Sequence, residues 1–374
     1  MKNPLLKLCL VAGLAVVLHG ASAAESKSAA SAFAPRASLD RDVPGLLDEN
    51  HVPSVSIARI DQGRLVFAKA YGLQSPGQPA TTKTLYNIAS MTKPISAEVV
   101  LQLASARRLS LDEAMAATWT DPDIAHDERR LLLTPRLALS HRSGFPNWRR
   151  QTGGVLTFKS APGAAIGYSG EGYEYVARFA QEKMHTDFEA LAQRQIFDAL
   201  GMHDTSYTRR AWFAGRIAEP ADAQGVFQKP AITDRWIASD LLYTTPSDYA
   251  KFMLSVMNTT DMTPAMARER ERVQASQKAD MCAGAKAKSC PDDVGFGLGW
   301  EVYRFKDATY LMHTGMDEGV FTLGYINLAS RRATIIFTNG ANGPKLVLPI
   351  LDQLVRETHG QDAAFVEALR AQGG

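Results

Sequence analysis

"YNIASMTKPISAEVVLQLA", residues 86–104, is the stretch on which the fold turns. Ile95, Val99 and Leu103 recur every four residues, the spacing of one buried helix face. Pro94 lacks an N–H and its ring clashes with a preceding turn, so it fits only near a helix start. It also disfavours helical geometry at Lys93. The helix therefore begins no further upstream than Ser90, which places that serine beside unsatisfied backbone N–H groups and the positive end of the helix dipole. Lys93 lies three residues on, on the same face, with its amine in reach of the hydroxyl. A serine so placed suits acyl transfer, because its own N–H can help hold an oxyanion. Burial and the dipole lower a lysine pKa, so a neutral amine is available to take the serine proton. The same four residues also read as a capping serine and a solvated lysine, so the assignment needs partners elsewhere in the chain.

Upstream, "SVSIARI" (54–60) and "RLVFAKAYG" (64–72) are β-like runs joined by Asp61-Gln62-Gly63, a hairpin. A helix over about 39–49 precedes them. From Ser90 to about Asp240 the pattern is mostly helical, with helices over 172–184 and 188–201, and another at 245–257 capped by Thr245 or Ser247. The mixed-sign stretch 265–280 reads as a solvated helix face. After Gly295 the β pattern returns in "GLGWEVYRF", "ATYLMHTG", "GVFTLGYINL" and "ATIIFTNG", and a helix from about Lys345 to Arg370 follows. The fold class expected is α+β: an antiparallel sheet built from both chain ends (about 39–88 and 290–374), flanked by helices, with a mainly helical region (about 89–289) inserted, all in one domain over 39–374.

The 374 residues are 45% hydrophobic and 21% charged, the balance of an ordinary globular chain. The formal charge of +2 is matched by Lys2 and Lys7 alone, so no basic face marks a nucleic-acid binder. Residues 1–23 combine a basic start, an apolar run and Ala21-Ser22-Ala23, the pattern of a secretory signal peptide, with a membrane anchor as the alternative. An Ala/Ser-rich leader (24–38) follows. Export, to the periplasm or beyond, fits Cys282 and Cys290, whose closeness reads as a disulfide worth roughly 2.5 kcal/mol, or else as two free thiols. No later stretch is apolar enough to span a bilayer. The histidines show no metal-ligand spacing.

Two further stretches bear on Ser90. "PGAAIGYSGEGY" (162–173) sets Tyr168-Ser169-Gly170 in a Gly-rich turn before a helix, where a tyrosine beside a lysine can be held as phenolate and shuttle protons. "YLMHTGMDEG" (310–319) ends a strand in His313-Thr314-Gly315. Its glycine lets another backbone approach, its edge can pair with an extended substrate, and His313 and Thr314 can offer donors to an anion.

In this order, the three elements resemble those of the penicillin-recognising serine hydrolases. The Tyr-Ser and His-Thr-Gly variants look most like the class C β-lactamase and DD-peptidase branch. "LALSHRSGFPNW" (137–148), "IFDALGMHDTSYT" (196–208) and "GFGLGWEVY" (295–303) fit it too, so the resemblance spans about Val43 to Val355. It implies a serine acyl-enzyme with no metal and no organic cofactor, acting on a small-molecule or peptide substrate through a peptide, amide, β-lactam or ester bond. It implies Ser90 as nucleophile and Lys93 and Tyr168 as its proton partners. The oxyanion would rest on the Ser90 N–H and a backbone N–H of the Val320 region. Gly170 stands where the branch usually has asparagine. Met316 stands where a hydroxyl residue often contacts the substrate carboxylate. His141 and Trp148 are placed to brace or wall the pocket. A carboxylesterase of the same fold is the nearest rival. A non-catalytic binding protein is the rival from another class. Oligomeric state is not legible.

Overall fold

The computed structural model describes residues 36–373; the signal-peptide and most of the leader expectation lie outside them. Helix α1 (Arg36–Asn50) begins within the stretch read as leader and leads into strands β1 (Ser54–Asp61) and β2 (Arg64–Ser75). The β1–β2 turn has Gln62 at φ 47° and Gly63 at φ 74°, the left-handed pair that matches the twist of a tight hairpin. At the other end of the chain come β3 (Asp293–Phe296), β4 (Glu301–Phe305), β5 (Ala308–Asp317), β6 (Val320–Asn327) and β7 (Arg332–Thr338).

These strands form one antiparallel sheet in the order β2-β1-β7-β6-β5-β4-β3, extended to nine members by the two-residue strands Gln78–Pro79 and Ala275–Ser276 at its edges. β1 pairs with β7 in the register Val55↔Thr338 and Ile57↔Ile336, so the two chain ends meet in mid-sheet, as the pattern predicts. Seven of the eight β1 residues are buried, because both faces of the sheet are covered. One cover is α1 with α6 (Pro344–Glu357) and α7 (Ala363–Gln372). The other is the central region, including α2 (Thr92–Ser105) and α4 (Pro246–Asn258). The Thr245 hydroxyl caps α4, accepting from Asp248 N–H at 3.2 Å.

Three expectations need correction. The single helix over 345–370 is two, parted at Thr358–Asp362. There the Asp362 carboxylate accepts from the Tyr310 hydroxyl (3.0 Å) and the Asn327 amide (2.9 Å) and pairs with buried Arg59. That polar cluster outweighs helix continuity. Second, between α2 and α3 (Gly170–Met184) the chain is mostly short 3-10 turns and one five-residue helix rather than long helices. Third, residues 265–280 are solvated on one side only, with Ala267, Arg270 and Ala275 buried. α5 (Pro264–Glu271) buries Arg270, whose guanidinium donates to Glu98 (3.1 Å), to the Val256 carbonyl (2.9 Å) and to Glu271 (2.9 Å). Both side chains of the Arg270–Glu98 pair are at most 5% exposed. Glu98→Ala, which leaves the buried guanidinium with Glu271 as its one carboxylate partner, is expected to destabilise the fold by about 3 kcal/mol in denaturant titration. A change under 0.5 kcal/mol would show that the pair is not what Arg270 needs. Cys282 and Cys290 are joined as a disulfide with Cα atoms 5.6 Å apart.

Candidate active site

Ser90 sits in a 3-10 turn, Ala89–Met91, that runs directly into α2, one step earlier than a serine in the helix proper. Ala89 holds a left-handed φ of 45°, a conformation that costs a non-glycine residue roughly 1–3 kcal/mol. The turn is fixed from all sides. Ala89 N–H donates to Asn87 Oδ1 (2.8 Å), Thr92 Oγ1 to the Ala89 carbonyl (2.6 Å) and Thr322 Oγ1 to the Ile88 carbonyl (2.9 Å). Ile88 N–H donates to the Leu242 carbonyl (2.9 Å), beside Leu241, which is also left-handed at φ 59°.

The sheet comes close to this turn because two strand residues lack side chains. A Cβ at Gly315 would collide with the Ile88 carbonyl and the Thr322 hydroxyl and lie 3.1 Å from the Ser90 nitrogen. At Gly324, opposite His313 in the register, a Cβ would lie 2.5 Å from the Met91 terminal methyl. β4 stops at the Glu301↔Met312 pair, so among the described residues β5 has no partner on that side over 313–317. An open backbone edge thus runs past the serine.

Lys93, with 0% exposure, donates to Ser90 Oγ (2.9 Å) and to the Ser239 carbonyl (2.9 Å). Burial pulls its ammonium below the usual lysine range, and the Asp240 and Glu174 carboxylates partly oppose that. Glu174 accepts from the Ser239 N–H (2.9 Å), the Ser239 hydroxyl (2.6 Å) and the Ala238 N–H (3.2 Å), and so holds the carbonyl that orients the lysine. Tyr168 lines the cleft with Ser90, and its ring centroid is 4.8 Å from Lys93 Nζ. Burial pushes the phenol up, only partly offset by the nearby Ser90 hydroxyl. The shift runs against the phenolate expected, and Lys93 is the group brought toward neutrality.

His141 stacks on the Tyr168 ring at 4.3 Å, and its Nδ1 accepts from Ser169 N–H (3.1 Å). Buried and held well below the usual imidazole range by desolvation and then Lys93, it braces the tyrosine from behind. Ser169 caps α3 through Gly172 N–H (3.0 Å). His313 Nδ1 lies 2.6 Å from the Thr314 carbonyl and must carry the proton. Burial, then Lys93, lowers its pKa to about 3. The neutral ring leaves a lone pair, not the expected donor, at Nε2, buried and without a partner.

Ser90, Tyr168, His313, Thr314, Trp148 and Met316 line one cleft of about 520 Å3, with Met316 67% exposed at its mouth. Gly315 lies beneath, beside Ser90. Val320 does not line it; it opens β6 opposite Asp317, and Met316 takes the place by Ser90 expected of it. Gly170 is covered: a Cβ there would lie 3.0 Å from the Asn147 carbonyl and 3.1 Å from the Trp148 ring. Its N–H donates to Asn147 Oδ1 (2.8 Å), and Asn147 lines the cleft, so a carboxamide is present from another element. Asn147, Arg150, Asp240, Glu301 and Asp317 were not singled out from sequence, although Asn147, Glu301 and Asp317 fall inside stretches that carry the resemblance. A larger cleft of about 880 Å3 between Trp119, Arg178 and Trp236 holds none of Ser90, Lys93 and Tyr168. Among the described residues no group of His, Cys, Asp and Glu could hold a metal.

If Lys93 is the base, kcat/KM rises with pH through an acid limb centred well below the ~10.4 of an exposed lysine, because only the neutral amine accepts a proton. A pH profile measured with a non-ionising ester checks this; a limb at the exposed-lysine value would remove Lys93 from that role.

A layered antiparallel sheet with half-buried Ser90 and Tyr168 around a buried lysine at the open end of one strand defines the class. A model of the β-lactamase family matches residues 39–355, and the chain belongs to that family of serine hydrolases. It is 23% identical over 341 residues to penicillin-binding protein 4 of Amycolatopsis lactamdurans, covering 84% of this chain and 88% of that one. It is 21% identical to protein flp of Staphylococcus aureus, covering 85% of this chain and 66% of that protein. The fold matches D-alanine carboxypeptidase AmpC from Burkholderia cenocepacia (TM-score 0.69, 20% identity, 85% and 98% of the two chains). It also matches a class C β-lactamase (TM-score 0.70, 16% identity, 87% and 98%).

Proposed function

We propose that the protein is an exported hydrolase that works through a Ser90 acyl-enzyme on a peptide or amide, β-lactam or ester bond. The 2.9 Å bond from buried Lys93 to Ser90 carries this reading. As Ser90 Oγ bonds to the substrate carbonyl carbon, its proton passes to Lys93. The oxyanion rests on Ser90 N–H and a backbone N–H of the open β5 edge beside Gly315, at Met316. Collapse breaks the bond to the leaving group, which takes a proton through Tyr168. Water then adds to the acyl carbon, its proton returns by the same groups, and Ser90 is released. The residues that do this are all side chains and backbone of one catalytic domain. The disulfide and the signal-like first residues support export to the periplasm or beyond; no described helix is long and apolar enough to cross a membrane.

A labelled fluorophosphonate read by intact mass tests the reading. One probe mass added to the protein, mapped to the peptide holding Ser90, is the expected result. No addition at millimolar probe would leave the non-catalytic alternative.

Met316, Ile237 and Leu241 give the cleft an apolar side that favours a carboxylesterase as second reading. Each of Gly170 and Met316 withholds a polar group from a β-lactam. One such hydrogen bond to a charged group is worth about 1.5–3 kcal/mol, or about 10- to 100-fold in rate. An activated short-chain ester is therefore expected to turn over readily and a chromogenic cephalosporin at least about 10-fold more slowly. Equal kcat/KM values would show that Asn147 fully replaces the missing asparagine.

A further inference from the structure

The cleft walls carry a charge balance that acyl transfer itself does not use. Asp240, Glu301 and Asp317 all line the cleft. Asp240 accepts from Leu241 N–H (2.9 Å), Asp317 from the Asn87 amide (3.2 Å), and Glu301 has only a 3.5 Å contact from the Tyr303 hydroxyl. Among the described residues none of the three is in an ion pair. His313 adds an independent sign of a missing donor. It is 2% exposed, lines the same cleft, and its Nε2 lone pair has no partner. Arg150 is the cation among the lining residues, exposed at the rim with its guanidinium 5.6 Å from the Trp148 ring centroid. Met316 offers no hydroxyl to a carboxylate.

We propose that the cleft selects acyl substrates bearing a cationic, hydrogen-bond-donating group, an ammonium close to the scissile carbonyl, over carboxylate-bearing ones. This rests on the Ser90 acyl-enzyme reading and names its substrate class. The physical reason lies in the base. Lys93 must be neutral to act, and that takes from Asp240 the cation that faces it. Burial makes the Asp240 and Glu301 carboxyls resist ionisation, so each is stabilised by an arriving cation. The ammonium's N–H groups then meet these carboxylates and the His313 lone pair, leaving no buried acceptor unpaired.

Two matched substrate sets test this, one for each side of the scissile bond. On the acyl side the set is alanine p-nitroanilide (both enantiomers) with a free ammonium, N-acetylated or N-succinylated. On the leaving-group side it is protonated 2-(dimethylamino)ethyl acetate against its neutral isostere 3-methylbutyl acetate. In at least one set the cationic member is expected to exceed its neutral isostere in kcat/KM by about tenfold or more, the size of one hydrogen bond between charged groups, with the succinyl member lowest. Asp240→Asn, and separately Glu301→Gln, should narrow that ratio at least about threefold. The wild-type series stands even if a variant misfolds. Neutral or anionic members equal to or better than cationic ones in both sets, in protein whose Ser90 takes up fluorophosphonate, overturn this proposal and leave the hydrolase reading intact. Protein that neither labels nor turns over any member overturns both.

Discussion

Ser90→Ala is expected to abolish covalent labelling by fluorophosphonate and to reduce ester turnover by on the order of 10^4-fold or more, as loss of an activated nucleophile does. The effect should be confined to chemistry. Of the bonds that shape the turn, those from Ala89 N–H, Thr92 and Thr322 involve no Ser90 side-chain atom. Lys93 keeps the Ser239 carbonyl when the hydroxyl is gone. Thermal unfolding of the variant should therefore stay close to that of the parent. Intact mass after probe treatment decides the matter: an alanine variant that gains the probe mass at the parental rate would remove Ser90 as nucleophile.

Lys93→Ala and Tyr168→Phe are each expected to slow acylation by roughly 10^2- to 10^4-fold, the range of general acid–base loss. Lys93 donates to the Ser90 hydroxyl, Tyr168 lines the same cleft beside it, and in the proposed cycle one is base and the other donor. They act as a unit, so the double variant should lose little more than the worse single one. Lys93 is fully buried, and its truncation leaves a void, so Lys93→Met is the control that keeps volume while removing the amine. Losses that multiply in the double variant, measured as single-turnover acylation rates, would show two independent groups. A Tyr168→Phe variant of near-parental rate would leave proton delivery to the leaving group to water.

The chemistry-bearing residues were legible because their neighbours constrain them. Pro94 limits where a helix can begin, and that limit put Ser90 and Lys93 at its start. The β-like runs in 54–72 and after Gly295 were enough to expect one sheet from both chain ends, since strands at the two ends with helices between them join most simply in one sheet. What could not be read was how these residues use their atoms. Tyr168 and His313 carry no sequence mark of protonation. Burial raises the phenol of one, and burial with Lys93 nearby lowers the imidazole of the other.

The local order of the chain determined most strands, the helix start at Pro94, and the serine and lysine it carries, since helix starts and strand-forming runs depend on neighbours a few residues apart. Tertiary packing alone decided the rest. Gly315 and Gly324 matter because a distant turn presses on them, the β5 edge by the serine is open because β4 ends early, and Arg270 is buried against Glu98 on α2. Asp240, Glu301 and Asp317 lie far apart in the chain and become one wall only when α2, the sheet and the Leu241 segment close around Ser90. A carboxylate's partner is set by distance in space, and no spacing along the sequence encodes it.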